Sequence, residues 1–301
     1  MRAILHGRNY NMARTVESAF SELLDRQRLT STQVEVANTR IAALQEFFSN
    51  DFTMAERAFK TGSYARGTIC AGQKDVDLMA PLDYPTYKDR YDHDSRAFLY
   101  YVRDQLNERY SATKVSARQV AVTLDFRSIT ADVVPCFQRA GQGGGYFMPD
   151  GSGGWIDTNP KYHAHLISTG DAAHNGMLKP LIRLIKAWNL ANGNHLRSFH
   201  VEVLVYNMWN NNNIGIILSR SVSSTLSVMA SWVDSSCEDP WDSSARIDDY
   251  LSTQERGTVV RMLQEDAVAA TRAEEYRVAG KIEHAFERWN SVYRRTFPAF
   301  G

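Results

Sequence analysis

Two aspartates, Asp75 and Asp77, stand two residues apart in the apolar segment DVDLMAPL at 75–82. Because the side chains of a strand alternate between its two faces, both carboxylates are expected on the same side, a few ångströms apart. Like charges at that spacing repel each other, and a divalent cation that prefers oxygen ligands removes the repulsion. The D-x-D pattern alone is also typical of turns and solvated edge strands. Within an apolar strand it predicts a site for Mg²⁺, with Mn²⁺ as the alternative ion.

A site for two metal ions usually needs a third carboxylate, and two candidates follow in the chain. Asp132 lies in the segment ADVVPCF, which is otherwise hydrophobic. A lone carboxylate in an apolar strand is costly unless it is paired or bound to a metal, which favours Asp132 as the third ligand. Asp125 lies in VAVTLDF, on the face opposite to the alternating apolar residues. It is interpreted as a solvent-facing or hydrogen-bonding residue.

The segment TGSYARGT at 61–68 precedes the aspartates and contains a glycine-serine pair. It is expected to form a turn between a short strand and a short helical segment. Glycine lets the backbone approach a ligand closely. The backbone N–H groups at Gly62 and Ser63, with the Ser63 hydroxyl, are therefore a candidate cradle for phosphate oxygens.

A basic stripe is predicted on the helix at 177–192. Lys179, Arg183 and Lys186 recur at i, i+4 and i+7, whereas the apolar residues occupy the other faces. The stripe is suited to phosphate, but a solvated basic face is an equally good interpretation of Lys179 and Arg183.

The chain changes character midway. Its first part alternates predicted helices and strands: a helix at 31–49, strands at 55–61, 75–82, 118–126 and 129–137, a helix at 92–110, and a glycine-rich loop or hairpin at 141–155. Its second part is predicted to be helical, at 160–168, 177–192, 199–210, 214–232 and two or three further segments within 252–296. This pattern predicts an α+β fold, with N-terminal helices and a mixed sheet in a catalytic lobe at 1–158 and a helical lobe at 159–301 that completes the site. The active site is expected in the cleft between them.

Composition narrows the class of partner. Lys plus Arg and Asp plus Glu both number 34, so the formal net charge is zero. Phosphate contacts normally require a broad basic surface, which weighs against a nucleic-acid template. The three cysteines are far apart and form no CxxC pair, which is typical of a reducing compartment. No run of about 18 apolar residues is present, so no membrane association is expected and a cytoplasmic location is predicted.

The segments GSYARGT, KDVDL and ADVVP, in this order, resemble the polymerase-beta-like nucleotidyltransferases. The resemblance is closer to the bacterial cGAS/DncV-like nucleotidyltransferases, or CD-NTases, and it extends through WIDTNPKYHAHL, GMLKPLIRLIKAWNLANG, SFHVEVLVYNMW and the EDPWD loop at 238–242. It implies that Gly62 and Ser63 bind the donor triphosphate. It also implies two Mg²⁺ ions on the three aspartates Asp75, Asp77 and Asp132, and it assigns Lys186 and Ser198 to the triphosphate tail.

The resemblance implies an enzyme that joins nucleoside triphosphates into a cyclic di- or trinucleotide, a second messenger of antiphage (CBASS-type) signalling. One alternative is a transferase that makes linear 2′-5′ oligonucleotides or modifies a tRNA, protein or small-molecule hydroxyl. Another is a catalytically inactive nucleotide-binding scaffold. In some relatives the C-terminal residue is conjugated to other molecules, so a regulatory or conjugating partner is considered at Gly301, although a frayed terminus is the simpler interpretation.

Overall fold

The computed structural model describes residues 13–73, 75–141 and 143–301, so residues 74 and 142, within the predicted KDVDL motif and glycine-rich segment, lie outside the description. The first part of the chain mixes helices and strands: α1 (Val16–Arg26), α2 (Ser31–Asp51), β1 (Phe59–Thr61), α3 (Gly62–Arg66), β2 (Asp75–Leu82), α4 (Tyr84–Tyr91), α5 (Ser95–Arg109), β3 (Lys114–Ala117), β4 (Val122–Phe126), β5 (Ile129–Gln138), β6 (Tyr146–Pro149) and β7 (Trp155–Thr158). The second part is helical in its described elements: α6 (Pro160–Ala173), α7 (Leu178–Ala191), α8 (Ser198–Trp209), α9 (Leu218–Asp234), α10 (Thr253–Val278) and α11 (Ile282–Val292).

The strands form one mixed sheet. Its order is β1-β2-β5-β4-β3. Strand β6 pairs with β5 on one side and with β7 on the other. The central pair, β2 and β5, is parallel, whereas the other pairs are antiparallel. The predicted α+β class with a mixed sheet and a helical second part is therefore confirmed.

Alternation along the central strands decides which face of the sheet is buried. Val76 and Leu78 on β2 and Ala131 and Val133 on β5 are buried in a core with apolar residues of α2 and α5. The residues between them point to the opposite face, which leaves that face for the aspartates. Helix α2 begins where the sequence predicts, because Thr30 caps it in a capping box with Gln33.

A second core joins the helices of the second part and also includes α1. Phe20 of α1 packs edge to face on Trp289 of α11, with ring centroids 4.8 Å apart. A segment from the start of the described chain thus completes the helical half. The division of the chain at residue 158 stays a prediction.

Three local predictions are corrected by the structure. The strand predicted at 55–61 is limited to β1. The strand predicted at 118–126 is limited to β4, because Arg118 N–H donates to Ala121 O and residues 118–121 form the turn between β3 and β4. The helix predicted at 92–110 begins at Ser95, where Asp94 caps the helix by accepting from Ala97 N–H. The glycine-rich segment does form a hairpin, since β6 pairs with β7.

Candidate active site

The three predicted aspartates lie on one face of the two central strands. Asp77 and Asp132 are direct partners in the parallel register of β2 and β5, and Asp75 is two residues before Asp77 on the same face. Neighbouring strands are about 4.8 Å apart, so these side chains leave the backbone at points that are close together. All three line a cleft of about 930 Å³ between the sheet and the helices.

The turn at Gly62 lies against the same aspartates. Thr61 is paired with Asp77 across β1 and β2, which brings the start of α3 beside the carboxylate. Gly62 has φ +65°, and a Cβ at that position would be 1.7 Å from Asp77 Oδ2. Both the backbone conformation and the space therefore require glycine. Gly62 and Ser63 line the cleft, as the sequence predicts for a phosphate-binding turn, but that role stays a prediction.

The electrostatics of the aspartates show that their charges are poorly balanced. Burial, followed by repulsion from Asp132, raises the pKa of Asp77 to about 6, and the positive charge of Arg66 only partly opposes this. Burial and Asp132 also raise the pKa of Asp75, against a lowering effect of Arg118. Asp132 itself accepts a 2.5 Å hydrogen bond from the Thr123 hydroxyl on β4. The cleft thus holds carboxylates that favour an added cation.

These residues fit a divalent cation that arrives with its substrate. Among residues 13–73, 75–141 and 143–301, no three His, Cys, Asp or Glu side chains are close enough to form a complete metal site on their own. Mg²⁺ is usually held by one or two carboxylates together with substrate phosphates, rather than by an all-protein cage. The donor set of Asp75, Asp77 and Asp132 meets that requirement. Coordination of two ions by these residues stays a prediction.

The opposite wall of the cleft is formed by the start of α8 and the loop after α9. Ser198, predicted to bind the triphosphate tail, lines the cleft as the first residue of α8. Its hydroxyl oxygen is buried and has no hydrogen-bond partner among the described residues. Beside it, Arg197 lies over the ring of Tyr250 at 4.4 Å from the centroid. A buried hydroxyl without a partner next to a cationic side chain is suited to an anionic ligand.

Lys186 is the one predicted site residue that the structure places away from the described lining of the cleft. Only 4% of it is exposed, and its Nζ donates to Glu202 Oε1 at 2.6 Å and to Thr68 O at 3.0 Å. Burial lowers the pKa of Lys186, and Glu202 partly offsets this effect. Of the same basic stripe, Lys179 lies 3.9 Å from Asp171, and the buried Nε of Arg183 has no partner in the described chain. Assignment of Lys186 to the triphosphate stays a prediction.

Several cleft residues are absent from the sequence-based prediction. Arg66 lines the cleft and binds Glu202, and His163 lines it and lies 2.9 Å from Asp239 through Nε2 and Oδ1. Burial acts to raise the pKa of Asp239, but the interaction with His163 and the hydrogen bonds from the backbone N–H groups of Trp241 and Asp242 together outweigh burial and lower that pKa. Glu202 carried a usable signal, because it is a lone acid in an apolar helix, the same argument that favours Asp132.

Known proteins are similar to this chain in sequence. Residues 14–169 match the family described as the Second Messenger Oligonucleotide or Dinucleotide Synthetase domain (SMODS). The chain is 26% identical over 306 residues to a cyclic AMP-AMP-AMP synthase of an Acinetobacter species, an alignment that covers 94% of this chain and 86% of that protein. It is 24% identical over 199 residues to a probable cyclic nucleotide synthase of Bacillus cereus, covering 64% and 59% of the two chains.

Solved structures share the fold along almost the whole chain. A complex of Escherichia coli MS115-1 CdnC with HORMA-deltaN superposes with a TM-score of 0.77 at 17% identity, covering 95% of this chain and 99% of that one. The cyclic AMP-GMP synthase DncV of Vibrio cholerae superposes with a TM-score of 0.71 at 12% identity, covering 94% and 96%. At these identities the likeness concerns the fold. In the described residues, no helix has the length and apolar character needed to cross a membrane.

Proposed function

The chain belongs to the SMODS family of CD-NTases, which are nucleotidyltransferases, and we propose on this premise that it joins nucleoside triphosphates into a cyclic di- or trinucleotide in a Mg²⁺-dependent reaction. The observation that carries the proposal is the meeting of three aspartates and the Gly62-Ser63 turn in one cleft. Nucleotidyl transfer needs both parts, because a triphosphate must be held while its α-phosphorus is attacked in line by a ribose hydroxyl.

The proposed roles follow from position. Asp75, Asp77 and Asp132 would hold the cations, with Mn²⁺ as the alternative to Mg²⁺. When bound, such ions supply a lowered pKa at the attacking hydroxyl and neutralisation of the pyrophosphate that leaves. The backbone at Gly62 and Ser63 would orient the triphosphate, and the buried hydroxyl of Ser198 would donate to a phosphate oxygen from the opposite wall.

Cyclisation requires the same cleft to receive two nucleotides. A volume of about 930 Å³ is at the upper end of ordinary ligand pockets, and polar residues of both halves line it. ATP is the first substrate to test, because the relative from Acinetobacter is named as a cyclic AMP-AMP-AMP synthase. The identity of the bases, the ring size and the 2′-5′ or 3′-5′ linkage remain for the product analysis to determine.

The decisive experiment incubates the protein with Mg²⁺ and labelled ATP, GTP, CTP or UTP, singly and together, and then treats the products with phosphatase. A labelled product that resists phosphatase is the expected result, and mass spectrometry with nuclease digestion identifies it. A ladder trimmed by phosphatase would indicate linear synthesis instead. No turnover with any nucleotide, in the presence of Mg²⁺ or Mn²⁺, would support the inactive scaffold. EDTA should abolish turnover and excess Mg²⁺ should restore it.

We further propose that the protein acts in the cytoplasm and that its product signals phage infection. The likeness to CdnC in complex with HORMA-deltaN supports a search for a protein partner of this chain. Gly301 stays the predicted site for a conjugating partner; its N–H is 3.4 Å from Ala13 O, beside a bridge between Ala13 and Phe300. Conjugation would be tested by mass spectrometry of the protein isolated from its own host before and after phage infection.

A further inference from the structure

A network of buried charges lies behind the phosphate-binding turn. Glu202 is fully buried, and Lys186 and Arg66 are 4% and 6% exposed. Arg66 binds the Glu202 carboxylate through Nε at 2.5 Å and Nη2 at 3.3 Å, and Lys186 Nζ binds it at 2.6 Å. Two cations thus converge on one anion inside the protein, where a charge without a partner is very costly.

Thr68 connects this network to the turn. Its hydroxyl donates to Glu202 Oε1 at 2.8 Å, and its carbonyl accepts from Lys186 Nζ at 3.0 Å. Its backbone N–H donates to Ser63 O at 3.0 Å and so closes the turn on itself. Arg66 belongs to α3, which begins at Gly62. Both ends of the segment from Ser63 to Thr68 are therefore tied to one glutamate on α8.

The charges of the network do not cancel. Arg66 and Lys186 each contribute a positive charge, and Glu202 contributes one negative charge. Burial acts to raise the pKa of Glu202, but Arg66 and Lys186 outweigh burial and lower it, so Glu202 is ionised at neutral pH. One positive charge is left over beside the cleft, which Arg66 itself lines. This charge opposes the rise in the pKa of Asp77, so the network partly offsets the negative charge of the aspartates.

We propose that Glu202 is a positioning residue that holds Arg66 and Thr68, and through them the Gly62–Gly67 turn, in the conformation that receives the polyphosphate of the substrate. The inference rests on the proposed function, because it takes the turn to be the triphosphate site. Glu202 acts from behind the turn. Its contacts are with Arg66, Thr68 and Lys186, so it contributes geometry and charge balance instead of a direct contact.

The first test needs no substrate. Glu202→Gln should raise amide hydrogen exchange at residues 62–68 by tenfold or more, because Arg66 and Lys186 lose their shared counter-charge. Asp266→Asn is the matched control: Asp266 is also a buried acid in a bidentate pair, with Arg294 at 2.9 and 3.1 Å, but it lies away from the turn. The control should change exchange at residues 62–68 by less than threefold. Equal exchange at 62–68 in both variants would overturn the inference.

The second test separates positioning from a general loss of structure. The dissociation constant of a non-hydrolysable ATP analogue should rise at least tenfold in Glu202→Gln, whereas that of AMP should rise less than threefold. A variant that merely unfolds in part would lower the active fraction and affect both ligands alike. Thr68→Val removes the uncharged hydroxyl that donates to Glu202 and accepts from Lys186 Nζ at 3.3 Å, and it keeps the shape of the side chain. In Thr68→Val the dissociation constant of the ATP analogue should rise about threefold, and that of AMP should rise less. This variant remains informative if Glu202→Gln fails to fold.

The two tests distinguish this inference from the function on which it rests. If the wild-type protein binds no nucleoside triphosphate, the proposed function fails, but the exchange comparison still decides whether Glu202 holds the turn. If the wild type binds and converts triphosphates while Glu202→Gln and Thr68→Val keep both normal exchange and normal affinity for the ATP analogue, the positioning role is wrong and the proposed function stands.

Discussion

The aspartates on the sheet and the charged residues behind the turn differ in how their charges are balanced. Asp75, Asp77 and Asp132 bear the same sign and line a cleft, and in the described chain the Thr123 hydroxyl is the one side chain that donates a hydrogen bond to them. The second cluster, made of Arg66, Lys186 and Glu202, bears opposite signs, is buried and is joined by hydrogen bonds of 2.5–3.3 Å. The first cluster consists of three negative charges, whereas the second combines two positive charges with one negative charge.

This difference explains how one fold can hold a site that is not at its energetic optimum. Breaking a buried pair by removing one partner costs about 3–5 kcal/mol, so the second cluster keeps the turn and helix α8 together. The aspartates are on strands whose other face is buried in the core, which fixes their position despite the repulsion. Substitution of the aspartates should therefore affect turnover with little cost in stability, whereas substitution in the second cluster should affect both the stability of the protein and the position of the turn.

The largest expected effect is on catalysis at the first cluster. Asp75→Asn combined with Asp77→Asn should reduce turnover roughly a thousandfold or more, because the cations lose two ligands. The free energy of unfolding of the metal-free protein should stay equal or rise, because two repelling charges are removed. Steady-state assays with Mg²⁺ and chemical denaturation in EDTA would check both. Full activity in this variant would refute the assignment of the aspartates.

A smaller effect is expected where the turn meets the aspartates. Gly62→Ala places a Cβ 1.7 Å from Asp77 Oδ2, so the carboxylate or the turn must move. A shift of about 1 Å in a catalytic group can cost about a hundredfold in rate, and we expect a loss of that order. The positive φ adds about 1–2 kcal/mol of strain.

Gly280→Ala is the matched control for this strain. Gly280 has φ +71°, and no described atom lies within 4 Å of the position that a Cβ would take there. Gly280→Ala should lower the free energy of unfolding by about as much as the strain at Gly62 does, whereas its turnover should stay close to that of the wild type. Equal turnover in Gly62→Ala and Gly280→Ala would mean that contact with Asp77 is unimportant. Thermal unfolding and initial rates with ATP would be measured on the same preparations.

The two clusters also differ in how far the sequence could predict them. Alternation in DVDLMAPL was sufficient to put Asp75 and Asp77 on one face, and an acid in an apolar strand was sufficient to single out Asp132. The pairing of Asp77 with Asp132 was not predictable, because register across parallel strands depends on the whole sheet. The fold class followed from periodicity, whereas the packing of α1 did not, because α1 joins the helical core through contacts with distant residues.

The second cluster depends on contacts between distant parts of the chain. Arg66 and Glu202 are 136 positions apart, and their hydrogen bonds exist only once the two halves have packed. Burial likewise changes Lys186 from a residue on a predicted basic stripe into a partner of Glu202. Spacing along a helix shows which residues share a face, but it does not show what covers that face.

The repulsion in the first cluster should be visible as a pH dependence of stability. The pKa of Asp77 is about 6 in the folded protein and 3.8 for the ordinary group, so the folded state holds the proton more tightly. The free energy of unfolding should therefore decrease as pH rises from about 4 to 6.5, by at most about 3 kcal/mol at 1.36 kcal/mol per pKa unit. Asp77→Asn should remove most of this decrease. Denaturation of both proteins in EDTA at pH 4.5, 5.5 and 7.5 would measure the difference, and parallel curves for both would contradict the repulsion.

The smallest effect is expected at the carboxylate that lies outside both clusters. Asp125 is exposed on β4, is paired in register with Lys114 on β3, and is not among the described residues that line the cleft. Asp125→Asn should change turnover less than twofold and the free energy of unfolding by no more than about 0.5 kcal/mol, because exposed charges interact weakly through water.

Asp132→Asn is the matched comparison for Asp125→Asn, since it makes the same chemical change on the neighbouring strand. The register pairs Asp132 with Thr123 and Asp125 with Thr130, so both aspartates lie on the same face of the sheet. They differ in their place on that face, because only Asp132 is beside Asp77. A large loss of turnover in Asp132→Asn with none in Asp125→Asn would attribute the effect to the neighbourhood of Asp77. Similar losses in both variants would mean that the negative charge of the whole face, and not a ligand at one position, supports turnover.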